Sequence, residues 1–311
     1  MPSPTARPIP TTADDPRLLL AVPNVSEGRD RALVAAIGRA YAAGGARLLD
    51  VHLDPDHHRA VHSLAGTPGS LAAAVAAGAE AAIERIDLRT PRGLHPHVGA
   101  IDVAPIVFLD EARRGAAIVE ALALAARLGE LGLPVLLYGL LGGGRTRAEL
   151  RRGGPAALAR RLAAGELRAD FGPQRAHPTA GAVLVAARPP LIAFNLELAP
   201  PAGLDDARRI AALVRDGGPE GLPGVRAIGL ELARPDGLAG ATDAPVAQVS
   251  CNVEDHRAVP LAALVAAVAR HAPVAGCELV GVPPAAAFAS FPDDLPVRGR
   301  RTLEEALAAS S

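Results

Sequence analysis

Along this chain, short apolar runs that read as strands are interleaved with helical stretches, but in several places two runs follow each other with no helix between. GARLLDVHLD and HRAVHSLAG form one such pair. GAVLVAA and PLIAFNLEL form a second around the turn ARPP, and VRAIGLEL and APVAQVSCNV a third. Neighbouring parallel strands need a crossover of a dozen or more residues, whereas an antiparallel pair needs only a turn. The pattern therefore predicts an α+β fold of mixed or antiparallel sheets with helices on one face. A split near Ala187 leaves two halves, each able to hold its own sheet. The expected organisation is a flexible tail over 1–17, subdomains over 18–187 and 188–290, and a tail over 291–311 with one short helix.

The helices between these runs have recognisable signals. Ser26 reads as the N-cap of a helix carrying Leu33, Ile37 and Tyr41 on one face. Ser70 to Arg85 is an Ala-rich helix, and LDDARRIAALVRDGG has an Asp-rich start.

Composition narrows the chemistry. The chain has 311 residues, 50% of them hydrophobic, enough for a packed core and against disorder. None of its 32 basic residues is Lys. That excludes a Schiff-base lysine, a pyridoxal phosphate anchor and a P-loop phosphate lysine. The formal net charge of −1 provides no global basic field, so no nucleic-acid partner is expected. No segment approaches the roughly 18 uncharged apolar residues of a membrane helix, and LLLAVP is too short for a signal-peptide core. Two cysteines, Cys251 and Cys277, are too few for a disulfide framework. A reduced, cytoplasmic setting without a membrane partner is the expectation.

The densest polar cluster is RTPRGLHPHVGAID, Arg89 to Asp102. It places His95 and His97 at the entrance of a strand, either as exposed loop residues or as general acid and base groups. Asp102 is suited to orient an imidazole, and Gly93 and Gly99 let backbone come close to a ligand. DVHLDPDHHRAVH, Asp50 to His62, holds four His and three Asp but no zinc-ligand spacing. His57 and His58 are adjacent and would point to opposite faces of a strand. A polar cleft wall is expected there, and no metal. The group Arg145, Arg147, Arg151 and Arg152 suits carboxylates or phosphates, which Arg grips bidentately, or else forms a solvated helix face. Of these, Arg145 is expected to contribute substrate affinity. DFGPQRAHPTAG, Asp170 to Gly181, is a loop bounded by Gly and Pro.

Seven motifs occur in order: VPNVSEGRD, DPDHHRAVHSLAG, GLHPHVGAIDVAPIV, the stretch from DFGP to HPTAGA, IAFNLEL, QVSCNVEDH and ELVGVPP. Together they resemble the glutamate formimidoyltransferase (formiminotransferase) domain family, from about Leu18 to about Phe288. The resemblance implies a monofunctional protein without the cyclodeaminase domain of the mammalian bifunctional enzyme. It implies two α+β subdomains with sheets facing across a substrate tunnel, in a homodimer. It implies transfer of a formimino or formyl group between N-formimino-L-glutamate and N5 of tetrahydrofolate, the co-substrate, in histidine breakdown, with no metal. The alternative is a non-catalytic paralogue that binds folate or another acidic ligand. His95 matches the family's catalytic His. Gly172, Pro173, His177, Pro178, Thr179 and Gly181 match its folate-binding segment. Asn24, Ser26 and Glu27 match the opening motif, Asn195 the IAFN motif, and Arg59 and Asp102 complete the expected binding residues. The chain departs from the mammalian pattern at His52, His58, His97, Leu140 and Ala180.

Overall fold

The computed structural model describes residues 9–89, 97–232 and 245–309. The chain divides between Arg188 and Pro189 into two compact units, the second running to Ala306.

The first unit contains β1 (Leu19–Ala21), β2 (Asn24–Val25), α1 (Arg31–Ala43), β3 (Arg47–Asp54), β4 (Arg59–Gly66) and α2 (Leu71–Arg85). It continues through β5 (Ile101–Val107), α3 (Arg114–Glu130), β6 (Val135–Leu137), α4 (Arg147–Arg151), α5 (Gly154–Ala163) and β7 (Val183–Arg188). β1 and β2 both pair antiparallel with β4 on one side and β5 on the other, so they are two halves of one interrupted strand. The interruption falls at Pro23, which has no N–H to give to the ladder. β3 pairs antiparallel with β4, while β5, β7 and β6 are mutually parallel. The sheet is therefore antiparallel at one end and parallel at the other.

Each end has the side-chain pattern its pairing demands. The long helices α1, α2 and α3 cover one face, over a core that includes Ile37, Tyr41, Leu64, Val75, Ile106 and Leu124. At the parallel end a second apolar cluster, with Val103, Leu136, Leu184, Leu158 and Leu162, lies under α5 on the other face. Burial on both faces explains the unbroken apolar run GAVLVAA. At the antiparallel end the face away from the long helices carries the polar Asn24, Arg59 and Ser63 beside Leu20, Val61 and Ala65.

The helix ends follow local chemistry. α1 is capped by Asp30, whose side chain accepts the Leu33 N–H at 2.9 Å, and not by Ser26. α2 has no cap bond from Ser70. Instead the buried carboxylate of Glu120, on α3, accepts the N–H groups of Gly69 and Ala72 at 2.6 and 2.7 Å. α1 and α2 approach closely at Gly78, where a Cβ would meet the Tyr41 ring at 2.0 Å.

The second unit contains β8 (Ile192–Leu198), α6 (Leu204–Val214), β9 (Val225–Leu232), β10 (Val246–Val253), α7 (Leu261–Ala269), β11 (Val274–Val280) and β12 (Val297–Arg298). α8 (Leu303–Ala309) follows. The sheet order is β12-β11-β8-β10-β9, antiparallel except for the β11–β12 pair. Within the segment read from the sequence as a tail with one short helix, Val297–Arg298 is an edge strand and Leu303–Ala309 the helix. Phe194, Leu196, Val249, Cys251, Cys277 and Leu279 alternate onto one face and pack with Ile210, Leu264 and Val268. Both cysteines are free, and burial pushes their thiols up to about 12. The whole is the α+β architecture of two mixed or antiparallel sheets that the strand pattern implies. Among the described residues no helix is long and apolar enough to cross a membrane.

His62, on β4, is fully buried, its ring edge-on to Tyr41 with centroids 5.1 Å apart. Burial pushes it down to about 4, against the opposing effect of the Val34 carbonyl 3.3 Å from Nε2. The folded state holds the ring neutral, whereas the unfolded chain protonates it below about 6.5. This contribution to stability is complete above pH 6.5 and is lost between pH 6.5 and 4, on the order of 3 kcal/mol in all. Urea unfolding at pH 7 and pH 4.5 should show the wild type losing about 2–3 kcal/mol more than His62→Gln. Equal losses in the two proteins would remove His62 from the account of acid sensitivity.

Candidate active site

The polar face of the first sheet is built by strand alternation. On β4, Ala60 and Leu64 point into the helix-covered core, which sends Arg59 to the other side. On β2, Val25 points in and Asn24 out. Arg59 donates through Nε to Asn24 Oδ1 at 2.7 Å and through a terminal nitrogen to the same oxygen. Asn24 is held in turn by its own Nδ2 donating to the Val22 carbonyl at 2.8 Å.

Asp102 owes its position to a break in register. β2 and β5 pair Asn24 with Val103 but Val25 with Ile101, so Asp102 is the extra residue of a β-bulge. Its side chain is buried. Oδ1 accepts the Val98 N–H at 2.9 Å and Oδ2 accepts from Arg151. Among the described residues these contacts give the carboxylate a backbone amide and a guanidinium; the imidazole it was expected to orient, His95, lies outside them.

Arg147 and Arg151 come from α4 at i, i+4 spacing, on one side of the helix. That five-residue helix is fixed by a capping box: Thr146 Oγ1 accepts the Glu149 N–H at 3.2 Å, and Glu149 Oε2 accepts the Thr146 N–H at 2.7 Å. The Arg147 guanidinium lies 5.9 Å from the centroid of the Tyr138 ring, whose hydroxyl is buried with no partner among the described residues. Burial lowers Arg147, the charges of Arg188 and Arg151 adding to it and Tyr138 and Asp102 opposing. Burial likewise pushes Arg59 down to about 9, helped by Arg151 and Arg147 and resisted by Asp102. At about 9, Arg59 remains cationic at neutral pH. Three guanidinium groups, Arg59, Arg147 and Arg151, thus lie around the Asp102 carboxylate, with Arg188 near Arg147.

Two loops frame this cluster. The first is the SEGRD segment packed on the turn 54–59. A Cβ on Gly28 would meet the Asp54 carbonyl at 2.2 Å and the Arg59 nitrogen at 2.4 Å, so only glycine fits. His58, at φ 51°, brings Nδ1 to 3.4 Å from both Glu27 Oε1 and the Gly28 nitrogen. Glu27 Oε1 also accepts the N–H groups of Arg29 and Asp30 at 2.7 and 3.0 Å, so this carboxylate shapes the turn. Asp54 and His57 form an ion pair at 2.5 Å. Burial opposes charge on both, but their mutual attraction wins, lowering Asp54 and raising His57.

The second loop is Gly172 to Gly181. His177 and Gly181 close a tight turn through bonds of 2.8 and 3.1 Å, and His177 Nδ1 accepts the Ala180 N–H at 3.0 Å. Thr179 O accepts the Leu88 N–H at 2.8 Å, Ala180 O the Ala100 N–H and Val98 O the Ala182 N–H, both at 2.9 Å. A Cβ on Gly181, at φ +70°, would meet the Val98 carbonyl at 2.1 Å. Gly172 and Pro178 are exposed, and Pro173 is half-buried. This loop is thus laced to the segment that follows His95. His95 itself, with Gly93, lies outside the described residues.

Ser26, expected as a helix cap, instead donates Oγ to the Gly99 carbonyl at 2.8 Å and ties the opening motif to the same segment. Arg145, expected to bind substrate, is paired with Asp170 at 2.6 Å. Asn195 lies in the second unit, where Nδ2 donates to Glu278 Oε2 at 3.0 Å. The roles of Tyr138 and Arg188 were missed from the sequence. The signal for Arg188 was a guanidinium closing an otherwise apolar strand. Among the described residues, no group of three or more His, Cys, Asp and Glu is placed to hold a metal ion.

The chain is thus built of two α+β units, the first with arginines gathered on the face away from its long helices. Residues 18–188 match the model for the formiminotransferase domain, N-terminal subdomain. The chain is 35% identical over 283 residues to the formimidoyltransferase-cyclodeaminase of Gallus gallus, covering 86% of this chain and 50% of that protein. It is 31% identical over 282 residues to the glutamate formimidoyltransferase of Streptococcus pyogenes, covering 88% and 91%. The corresponding protein of Thermoplasma acidophilum is 33% identical over 253 residues, covering 78% and 79%. The chain spans about half the length of the bifunctional relatives and most of the length of the microbial ones. This chain belongs to the formiminotransferase domain family.

Removing one partner of a buried ion pair leaves an uncompensated charge and costs about 3–5 kcal/mol, whereas an exposed pair contributes about 0–1 kcal/mol. Asp102→Ala should therefore lower the unfolding free energy by about 3–5 kcal/mol. Arg145→Ala, whose pair is partly exposed, should lower it by about 1 kcal/mol or less. Equal denaturant midpoints for the two variants would contradict the central place given to Asp102.

Proposed function

We propose that this chain transfers a formimino group from N-formimino-L-glutamate to N5 of tetrahydrofolate. The observation that carries the reading is the arginine cluster around Asp102 in a member of this family. Arg59, Arg147 and Arg151 act on one another in a largely buried place, with the Asp102 carboxylate among them. Both proposed substrates are polycarboxylates, because folate ends in a glutamate tail. An Arg fork holds a carboxylate through two parallel bonds, which fixes orientation as well as affinity.

The chemistry asks for little more than alignment and one proton path. N5 attacks the formimino carbon, the bond from that carbon to the glutamate nitrogen breaks, and the proton leaving N5 ends on the departing amine. Arginine cannot carry that proton at neutral pH, whereas an imidazole accepts and then donates it. We assign the role to His95. The loop from Gly172 to Gly181, with Pro173, His177, Pro178 and Thr179, is assigned to folate, and Asn24, Ser26, Glu27, Arg59, Asp102 and Asn195 to building or lining the site. Holding two substrates together supplies much of the remaining acceleration. The protein is further proposed to act as a cytoplasmic homodimer of two-subdomain chains (18–187 and 188–290), without nucleic-acid or membrane partners.

The test is purified protein with tetrahydrofolate and formimino-glutamate, followed at the absorbance of the 5-formimino product. His95→Ala should cut turnover at saturating substrate by roughly 10²–10⁴ while folate affinity changes little. A dead His97→Ala beside an active His95→Ala would reverse the assignment. Wild-type protein that binds folate but makes no product would leave a ligand-binding paralogue.

Arg151→Ala should mainly raise KM for formimino-glutamate, since it removes binding common to substrate and transition state. Collapse of turnover at saturation, with the fold intact, would give Arg151 a different role.

A further inference from the structure

The second sheet also has a polar face, opposite the core that packs on α6 and α7. Strand alternation and register place Asn195 and Glu197 of β8, Gln248 and Ser250 of β10, Glu278 of β11 and Arg298 of β12 on it. Gln248 stands directly across from Glu197 in the β8–β10 pairing, so their Cβ atoms are about 5 Å apart. Arg298 donates to Glu197 Oε1 at 3.1 Å and to Glu278 Oε1 at 3.0 Å, and Asn195 holds the other oxygen of Glu278.

That network satisfies Glu278 and leaves three atoms over. Glu197 is 1% exposed and Gln248 0%. Yet Glu197 Oε2, Gln248 Oε1 and Gln248 Nε2 are buried and have no partner among the described residues. Buried polar atoms are nearly always hydrogen-bonded, and each exception asks for a ligand or an ordered water. Three on two facing side chains are two acceptors and one amide donor.

We propose that Glu197 and Gln248 form the subsite for the 2-amino-4-oxopyrimidine edge of a pterin. Along that edge the ring presents an exocyclic N–H donor, the N3–H donor and the O4 acceptor. The primary amide of Gln248 pairs with the lactam, Oε1 accepting N3–H and Nε2 donating to O4. Glu197 Oε2 accepts from the neighbouring 2-amino group. All three unpartnered atoms are used, each with the group of opposite sense. Arg298, on the far oxygen of Glu197, and the Glu278–Asn195 bond hold the carboxylate in place. Burial raises the Glu197 carboxyl, Arg298 opposing and Glu278 adding. Gripping the pyrimidine edge leaves the other ring, and with it N5, uncovered. The inference rests on the formimino-transfer reading for the choice of pterin over guanine, which carries the same edge.

The test measures binding of 5-formyltetrahydrofolate, of its 2-desamino analogue and of guanosine monophosphate to the wild type, Glu197→Gln and Gln248→Met, after checking that each variant unfolds cooperatively. Glu197→Gln should weaken 5-formyltetrahydrofolate roughly 10–100-fold, as expected for loss of a hydrogen bond to a charged group, and Gln248→Met roughly 10-fold. The Glu197→Gln penalty should vanish with the 2-desamino analogue, which lacks the group Glu197 accepts from. A purely structural role would penalise both ligands alike and overturn the proposal. KM for formimino-glutamate should stay unchanged. Wild-type turnover with unaltered folate affinity in both variants overturns this subsite and leaves the transferase reading standing. Absent turnover with a retained Glu197-dependent pterin affinity does the reverse. Guanosine monophosphate binding as tightly, with the same dependence, overturns the choice of pterin.

Discussion

The first unit gathers its positive charge around one buried carboxylate. Asp102 reaches that place only because β5 carries one residue more than β2 at the bulge. Without the extra residue, alternation would continue undisturbed and Asp102 would shift face. From its position Asp102 holds the Val98 N–H, and so the segment following His95, and Arg151, and so α4. Arg151 and the Val98 amide are thus fixed by the same two oxygens.

The α+β class was legible because strands that follow each other with no helix between tend to pair antiparallel, as β3–β4 and β9–β10 do. The run GAVLVAA and the run PLIAFNLEL, which looked like a third such pair, instead fall in different sheets on either side of the unit boundary. Family membership was legible because seven motifs recur in order. What order along the chain does not reveal is which motifs meet. The opening motif meets DPDHHR through Asn24–Arg59 and meets GAID through Ser26–Gly99. These contacts span 35 and 73 residues and depend on the strands that bring them together. Local rules misled at Ser26: a cap signal was present, but Asp30 supplied the cap and freed the hydroxyl for a distant carbonyl. The arginine group was visible as a group, yet its division was not. Arg145 is turned to Asp170 and Arg147 to Tyr138, because α4 begins only at Arg147 and its capping box sets the direction of everything after it.

The second sheet carries a subtler signal of the same kind. In IAFNLEL every second residue is apolar, and Asn195 and Glu197 fill the other positions. Alternation of this sort usually marks a solvated face. Burial of Glu197 and Gln248 breaks that expectation, and no period in the sequence encodes burial of the polar side. The pair became readable only once the register placed β10 against β8 and the hydrogen bonds could be counted.

A chain without lysine divides its chemistry in a particular way. Its cations are planar forks that stay protonated, so they are suited to hold oxyanions and unsuited to pass protons. Proton transfer near neutrality falls to histidine. Here three histidines of the first unit, one in the core and two in the loops, are already committed. His62 is kept neutral by burial, His57 is bound to Asp54, which raises it against the effect of burial, and His177 is spent on its own turn. Each commitment removes an imidazole from the set free to accept and return a proton. The arginines carry the complementary tension. Burial and mutual repulsion disfavour charge on Arg59 and Arg147, with Asp102 giving only partial relief. A bound carboxylate would relieve the rest. Binding energy would then come from charge stress built into the arginine cluster, and a neutral analogue of the same shape would forfeit it.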